Sequence, residues 1–407
     1  MLRQWSIGRR LSLVTLMVLA LPDHHPLATA PTLPLGRVLA EDIVSPVNVP
    51  AHINSAMDGW AVRSADLLAS PTPQVRLRRR GESAAGHPHE QPLHPGEALR
   101  ISTGALIPAG ADMVVAQEDC RVHGDHVDVD RDQVGEVRPG HFVRLAGSDV
   151  LAGAPLLPAG SLLGPGELGL LAGCGHATAH VHRPPRVAIL CTGDELVPVG
   201  AWPQRGQVVS SNGLMLAWMA REVGAEVTDL GIAVDEPDTL RRALERGLDF
   251  DVLVTCGGIS VGDHDLIKPV LERMGATIHF HGVAQKPGKP MLFGTLRERP
   301  IIALPGNPRA VLILFWEYVL PFLRAMQGAR DPWLRAEHLT ITHAITLKGD
   351  RAEFRAAQVK DGRVTLLADE GSHMLRSLVD ADALAYFPAT MRTLNVNEPV
   401  EIHHITR

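Results

Sequence analysis

The most regular pattern of apolar and polar positions lies between residues 184 and 328, where short apolar runs alternate with stretches of helical periodicity. Val187, Ala188, Ile189 and Leu190 read as a buried strand, and residues 212–223 as an amphipathic helix closed by Gly224. A strand at 226–231, a helix at 237–247 opened by Pro237 and a buried strand at 251–255 come next. The series ends with a helix at 264–274 stopped by Gly275, strands near 277–283 and 300–304, and a long helix over 308–325. Strands alternating with helices of this length predict a parallel sheet with right-handed crossovers. In such sheets ligands bind at the carboxyl ends of the strands.

The flanking regions follow a different rhythm. Residues 46–149 are rich in Gly and Pro, with a hairpin signal at His123-Gly124-Asp125 beside alternating Val127 and Val129, and predict a β-rich module. From 329 onward the segments LTITHAITL, GRVTLLA and VEIHHI give short strands and turns without a long helix, so a small terminal β domain is expected. At the other end Arg3, Arg9 and Arg10 precede an uncharged run, Leu11 to Leu21, with Ala28-Thr29-Ala30 behind it. That outline suits a secretory signal or, alternatively, a packed helix ended by Pro22. Eleven residues are too few to span a bilayer.

Length and composition narrow the class. A chain of 407 residues suggests two to four domains, each able to bury a core. Its apolar fraction of 45% and charged fraction of 21% exclude a wholly disordered chain and a polytopic membrane protein. With 39 Lys and Arg against 45 Asp and Glu, the net charge of -6 offers no basic field for a nucleic acid, so an anionic ligand must meet a local cluster. Thirty-eight Gly and 31 Pro beside only 4% aromatics point to tight turns and backbone-lined pockets. Cys120, Cys174, Cys191 and Cys256 form no metal-binding spacing and read as reduced and mostly buried. Adjacent histidines, as at His24-His25 and His403-His404, point in different directions and read as surface residues, not ligands.

The residues able to carry chemistry follow predicted strands. Cys191-Thr192-Gly193-Asp194-Glu195 follows the first, and Cys256-Gly257-Gly258-Ile259-Ser260-Val261-Gly262-Asp263-His264-Asp265 follows the strand at 251–255. Glycines there let backbone N–H groups approach a phosphate, with the next helix dipole adding favourable potential. Lys286-Pro287-Gly288-Lys289-Pro290 puts two ammonium groups on a stiff turn suited to an oxyanion. Leu304-Pro305-Gly306-Asn307-Pro308 makes another rigid turn into a helix N-terminus. Asp149, Glu195, Asp235 and Asp265 are acceptor-only groups that could hold Mg²⁺ or orient a water. One Gly-Gly turn marks any tight βα connection, and one carboxylate any solvated loop. Their recurrence points to phosphoanhydride or oxyanion chemistry.

These motifs carry a family resemblance. Asn54-Ser55-Ala56-Met57-Asp58-Gly59-Trp60-Ala61-Val62-Arg63, Thr103-Gly104 with Pro108-Ala109-Gly110-Ala111-Asp112, Thr192-Gly193-Asp194-Glu195-Leu196 and the three turns at 257–263, 286–290 and 304–308 resemble the molybdopterin molybdenumtransferases. This family of molybdenum insertases includes the E domain of gephyrin, and the resemblance runs from about residue 36 to the C-terminus. It implies an α/β multidomain fold. An αβα three-layer molybdopterin-binding domain with a parallel or mixed sheet would occupy 184–328, an inserted β-rich domain 46–149, a discontinuous linking domain 1–45 and 150–183, and a C-terminal β-barrel-like domain 329–407.

The implied reaction joins adenylyl-molybdopterin and molybdate to give molybdenum cofactor and AMP, with Mg²⁺. By position, Thr103 and Arg144 correspond to pocket residues and Asp149 to a pocket carboxylate. Glu195, Asp235 and Asp265 correspond to metal, water or pterin-side carboxylates, and Lys286 and Lys289 to oxyanion and phosphate contacts. Gly257, Gly258, Ser260 and Gly262 match the pterin phosphate loop, and Thr192, Gly193, Pro305, Gly306 and Asn307 join the substrate-binding set. The resemblance further implies a homodimer in the cytoplasm, with an N-terminal helix in place of a signal. A molybdopterin adenylyltransferase and cofactor acceptor proteins would be its partners, with neither nucleic acid nor membrane involved.

Departures leave two alternatives open. Ile53 stands where the family has an Asp, and it can neither bind a metal nor take a proton. Ser210 and Ser148 replace acids, and Asp382-Ala383 an Asn-Gly turn. A non-catalytic molybdopterin-binding scaffold, or a molybdopterin adenylyltransferase, are the other readings.

Overall fold

The computed structural model describes residues 13, 14, 16, 17, 29–32, 35–259, 265–368, 371 and 374–405. The chain divides into two compact units, one of Asp42–Pro158 and Pro165–Thr178, the other of Ala159–Gly164, Ala179–Arg407 and the segment up to Glu41.

In the larger unit a six-stranded sheet runs in the order Glu226–Ala233, Arg186–Thr192, Val252–Cys256, Arg299–Leu304, Leu292–Leu296, Thr277–His281. The first four strands are parallel. The last two are antiparallel, making the sheet mixed. The antiparallel edge comes from a hairpin whose turn residues, Arg297 and Glu298, both have positive φ. Strand Leu292–Leu296 escapes the sequence pattern because Gly294 breaks its apolar run and the turn lacks Asn or Gly. Gly294 is required by crowding: a Cβ there would stand 2.8 Å from Thr277 O on the neighbouring strand.

Side-chain alternation along the strands builds the three layers. Val187, Ile189 and Cys191 share one core with Leu216 and Ala220 of helix Ser211–Glu222 and with Val311 and Phe315. Ala188 and Leu190 point the other way, into a core with Leu240 and Leu244 of helix Pro237–Gly247 and Val270 and Leu271 of helix Ile267–Arg273. Leu13, Val14 and Met17 are helical and buried in the first core, while the remainder of the uncharged run Leu11 to Leu21, apart from Leu16, lies outside the described residues.

The long helix expected over 308–325 has an internal irregularity. Pro308–Leu314 and Leu320–Met326 are α-helical, but Phe315–Val319 is a π turn in which Leu320 N–H reaches Phe315 O. Pro321 supplies the cause, since it cannot donate to the turn before it and its ring crowds that turn's carbonyl.

After this helix the chain closes a five-stranded barrel, in which Ala352–Lys360, Arg363–Leu366, Ala336–Ile341, Pro399–His404 and Ala383–Phe387 pair in turn and the last returns to the first. Ile341, Val364, Phe387 and Ile402 fill it. A two-residue strand of the αβα segment, Gln285–Lys286, adds in parallel to Ala352 and Glu353. The turn bearing both candidate lysines therefore departs from the barrel's rim.

The smaller unit contains a sheet in the order Met113–Ala116, Gly59–Val62, Glu97–Ile101, Gln74–Ser83, His126–Asp130, Cys120–His123, over a core of Trp60, Leu77, Val115, Val127 and Val129. Its last two strands are the hairpin expected at 123–125. Among the described residues, no helix is long and apolar enough to cross a membrane.

Candidate functional site

Three neighbouring strand ends supply the floor of the site. Gly257, with φ +104°, lies so close to the end of strand Arg186–Thr192 that a Cβ on it would stand 2.2 Å from Thr192 O. The Gly306 Cβ position would lie 4.0 Å from Gly257 Cα. Only glycine permits this backbone approach. The loop start is pinned by Gly257 N donating to Leu304 O at 2.9 Å and Ile267 N to Gly258 O at 3.1 Å, with His281 Nε2 3.0 Å from Ile259 O.

Polar groups at these ends remain available. Thr192 is buried and its Oγ1 has no hydrogen-bond partner among the described residues. Asn212 Nδ2 donates to Gly306 O at 2.8 Å while its Oδ1 is likewise unpartnered. Asn307 Oδ1 accepts from Ala310 N at 3.2 Å, capping a helix that starts on Pro308. Ser260 and Gly262 lie outside the described residues.

Beside the glycine turns stands a group of carboxylates. Glu195 leans over Gly193, where a Cβ would meet its Oε2 at 2.6 Å. Asp235 donates its backbone N–H to Asp194 Oδ1 at 2.9 Å, and its own buried Oδ1 has no partner among the described residues. Burial first, then the charges of Asp194, Glu195 and Asp265, hold the Asp235 carboxyl above the usual carboxylate range. Glu195, Asp235 and Asp265 thus share one electrostatic field. Asp194 belongs with them although the sequence reading did not single it out, its only signal being its place in Thr-Gly-Asp-Glu.

The donors are hard oxygens, one of them orphaned, which suits Mg²⁺. Among the described residues, no three acidic, His or Cys side chains converge tightly enough to hold a metal unaided. Mg²⁺ commonly takes only one or two carboxylates and completes its shell with water and phosphate oxygens, so this set fits that ion.

Lys286 and Lys289 enter a different part of the same unit, a cavity of about 280 Å³ also lined by Asn307, Arg309, Arg351, Arg355, Phe354 and Glu353. Among the described residues lining it, five are cations and one is a carboxylate. Glu353 is already occupied, accepting from Arg355 Nε and Nη2 at 3.1 and 2.8 Å with Lys286 Nζ 3.7 Å away. Arg309 is 2% exposed and is aimed by Ser377 Oγ at 2.6 Å and Met374 O at 3.3 Å. The turn is braced from beneath: Tyr318 Oη donates to Gln285 Oε1 at 2.5 Å and Gln285 Nε2 to Pro287 O at 3.0 Å. Sequence reasoning missed Arg309, Arg351 and Arg355, which lie well beyond the lysine turn in sequence and which no spacing rule links to it.

In the smaller unit, Thr103 N donates to Asp58 Oδ1 at 2.7 Å, the leading reason that the Asp58 carboxyl sits below its usual range. Gly104 N donates to Ser55 O, and Arg144 pairs in register with Asn54, so Thr103, Arg144 and Asp58 gather around the 54–58 turn. Asp58 is the addition here, already legible in Asn-Ser-Ala-Met-Asp-Gly. Asp149 sits on another turn, its N–H bonded to Val49 O at 3.0 Å, and no hydrogen bond among the described residues joins it to Thr103 or Arg144. Ile53 is 45% exposed. Asp382 has a structural task, its Oδ1 accepting from Val359 N at 2.9 Å.

One reading of the histidines is corrected. His403 is not a surface residue: it is 1% exposed, with Nδ1 2.7 Å from Glu317 Oε1 and Nε2 3.0 Å from Glu401 Oε1. Alternation along strand Pro399–His404 turns it toward the π turn of the preceding helix, where carboxylates compensate its burial.

An αβα sheet whose strand ends combine close glycine turns with carboxylates, continued into a barrel whose strand completes a cationic cavity, makes this a multidomain α/β protein with room for an anion near its strand ends. Comparison with known proteins gives the family. Residues 9–175 match the MoeA N-terminal region (domain I and II), 188–325 the probable molybdopterin binding domain, and 339–405 the MoeA C-terminal region (domain IV). A molybdopterin molybdenumtransferase of Nostoc sp. is 40% identical over 303 residues, covering 73% of this chain and 69% of that protein. One of Haemophilus influenzae is 34% identical over 375 residues, covering 90% and 91%. The solved structure of the molybdopterin biosynthesis moeA protein from Pyrococcus horikoshii OT3 superposes with a TM-score of 0.83 at 25% identity, over 97% of this chain and 99% of that one. The chain belongs to the molybdopterin molybdenumtransferase family and is a transferase.

Proposed function

We propose that the enzyme inserts molybdenum into molybdopterin, converting adenylyl-molybdopterin and molybdate to molybdenum cofactor and AMP with Mg²⁺. One observation carries this reading: the cavity lined by five cations is also lined by Asn307, the residue after Gly306, whose Cβ position lies 4.0 Å from Gly257 Cα. A site for a tetrahedral dianion thus adjoins turns suited to a phosphate.

In this reading the Gly258 N–H, the Thr192 hydroxyl and the turn Pro305-Gly306-Asn307 bind the pterin phosphate end, with Gly257 allowing the close backbone approach, Gly193 giving clearance and Ser260 and Gly262 continuing the loop. Lys286 and Lys289, with Arg309, Arg351 and Arg355, receive molybdate and neutralise the charge that develops as the anhydride breaks. Glu195, Asp235 and Asp265 would hold Mg²⁺, which when bound supplies charge neutralisation for phosphate oxygens. Asp235, whose buried Oδ1 has no hydrogen-bond partner among the described residues, would orient a water in that shell. Thr103, Arg144 and Asp149 are kept as substrate contacts. The proposal includes the four domains at 1–45 with 150–183, 46–149, 184–328 and 329–407. It also includes a cytoplasmic homodimer fed by a molybdopterin adenylyltransferase and relieved by cofactor acceptor proteins.

The test is AMP release from adenylyl-molybdopterin by the purified chain with molybdate and Mg²⁺. Lys289→Ala and Asp265→Ala are each expected to slow it by about 10²-fold or more, the scale for losing one charge-stabilising group. Folded protein that releases no AMP with any divalent metal defeats the proposal. Ile53 favours a second reading, a scaffold that binds molybdopterin without turnover. Activity gained from nothing in Ile53→Asp supports that reading, whereas ATP consumption with molybdopterin marks an adenylyltransferase.

A further inference from the structure

Two thiols lie beneath the strand-end turns and have no part in the proposed reaction. Cys191 and Cys256 are register partners on adjacent parallel strands, and both point into the same core layer. Neighbouring strands lie about 4.8 Å apart, within the roughly 4.4–6.8 Å Cα separation that a disulfide spans. Both are free thiols, as are Cys120 and Cys174.

We propose that Cys191 and Cys256 are a redox modification site, at which a peroxide joins the two sulfurs in an intramolecular disulfide.

Access, reactivity and a resolving partner support the assignment. Cys191 lines a cavity of about 420 Å³ together with Ser210, Leu214, Asp229 and Gly231, so a small oxidant has a route to its sulfur. Gly213 makes room for that sulfur, since a Cβ on it would stand 2.9 Å from Cys191 Sγ. A hydrogen bond from Cys256 favours the Cys191 thiolate and outweighs its burial, with further hydrogen bonds from the Ser210 hydroxyl and from Gly213 N–H at the start of helix Ser211–Glu222 set against the Asp229 charge. The same bond to Cys191, with burial, holds Cys256 well above the thiol range. Cys256 Sγ also lies 3.3 Å from Pro305 O as a donor and 3.1 Å from Asn212 Nδ2 as an acceptor. The other thiols lack these features: burial first pushes Cys120 up to about 12 and its register partner is Val129, while Cys174 lies in the turn after helix Pro165–Gly173 and not on a strand beside another cysteine.

The chemistry balances with hydrogen peroxide as oxidant. The Cys191 thiolate attacks one peroxide oxygen, the O–O bond breaks, and the departing hydroxide takes a proton from solvent to give water. The resulting Cys191 sulfenic acid is attacked by Cys256 sulfur. The S–O bond breaks as the S–S bond forms, and the Cys256 proton leaves with the hydroxide as a second water. Two thiols are oxidised by two electrons and one peroxide is reduced. The bond would tie the residue before Thr192 to the residue before Gly257 and remove the donor to Pro305 O.

The test oxidises the reduced full-length chain with stoichiometric hydrogen peroxide after the reductant is removed. Expected are an intact mass lower by two hydrogens, a Cys191–Cys256 cross-linked peptide, alkylatable Cys120 and Cys174, and reversal by dithiothreitol. Cys256→Ser should stop at a Cys191 sulfenic acid trapped by dimedone, and Cys191→Ser should consume peroxide about tenfold more slowly. The inference is overturned if Cys191 and Cys256 stay alkylatable in the oxidised wild type, or if the cross-link joins another pair or needs denaturant. AMP release should fall on oxidation and recover on reduction. That arm rests on the proposed function, whereas the mass measurements stand even where the reduced chain shows no release.

Discussion

Gly257→Ala tests whether close backbone approach at the strand ends is as tight as described. Two costs arise. At φ +104° an L-residue is strained by about 1–3 kcal/mol. The added methyl would also stand 2.2 Å from Thr192 O, which belongs to a strand paired on both sides and cannot swing away as a side chain would. Relieving that overlap requires moving backbone, and overpacking of this kind costs about 1–3 kcal/mol more. Gly275→Ala is the control. Its φ is +86° but nothing lies within 4 Å of the Cβ position, so it should pay only left-handed strain, about 1–2 kcal/mol. Urea unfolding of both variants beside wild type isolates the contact contribution as their difference, expected at roughly 1–3 kcal/mol with unchanged m values. AMP release should fall in Gly257→Ala and not in Gly275→Ala. Equal destabilisation of the two variants, within about 0.5 kcal/mol, would refute the argument, because strain alone would then explain both.

Other consequences concern charge. Asp251 is 4% exposed among Arg183, Arg186 and Arg299; burial pushes its carboxyl up, but hydrogen bonds from the Arg183 side chain and the Arg186 N–H outweigh that and leave it lowered. A depressed native pKa gives stability that is present above the unfolded value and lost as pH falls through the native one. Asp251→Asn should therefore cost roughly 2 kcal/mol at neutral pH and flatten acid unfolding, read from urea midpoints against pH. Asp235 has the opposite sign: its raised pKa means that its contribution is full below the unfolded value and lost as pH rises through the native one. Asp235→Asn should thus be more stable than wild type at neutral pH, converge with it in acid, and release AMP far more slowly; unchanged stability at both pH values would contradict this. Glu317→Ala strips one partner from buried His403 and should destabilise the larger unit by about 3–5 kcal/mol in thermal or urea unfolding.

Local chemistry made much of the αβα fold readable. Apolar runs such as Val187 to Leu190 are buried on both faces, and helix signals such as Pro237 and Gly224 lie at or beside real ends. What escaped depends on partners distant in sequence. Strand Leu292–Leu296 looks weak alone because it contains Gly294, which only a neighbouring carbonyl explains. Lys286 reads as a turn residue, yet it lies on a two-residue strand that exists because Ala352 and Glu353 offer an edge. The π turn needs both Pro321 and the surrounding helix, so periodicity alone reports one continuous helix.

The same distinction divides the site. Glycine turns and carboxylates follow strands, so the glycine floor and the grouping of Glu195, Asp235 and Asp265 could be assembled once strand order was assumed, with Asp194 added by the structure. The cationic cavity could not, because it joins a turn at 286–290, a helix start at Arg309 and a barrel strand carrying Arg355. Net charge hid it further, since -6 over the chain describes the surface and not a cavity of five cations around one committed carboxylate. Arg309 is 2% exposed, so its charge acts through a lower dielectric than that of solvated Lys286, and affinity for a dianion should fall more when Arg309 is lost than when Lys286 is. Arg309→Met and Lys286→Met, compared by molybdate titration of the folded chain, give that order directly. A larger loss at Lys286 would place the anion at the mouth and not the interior.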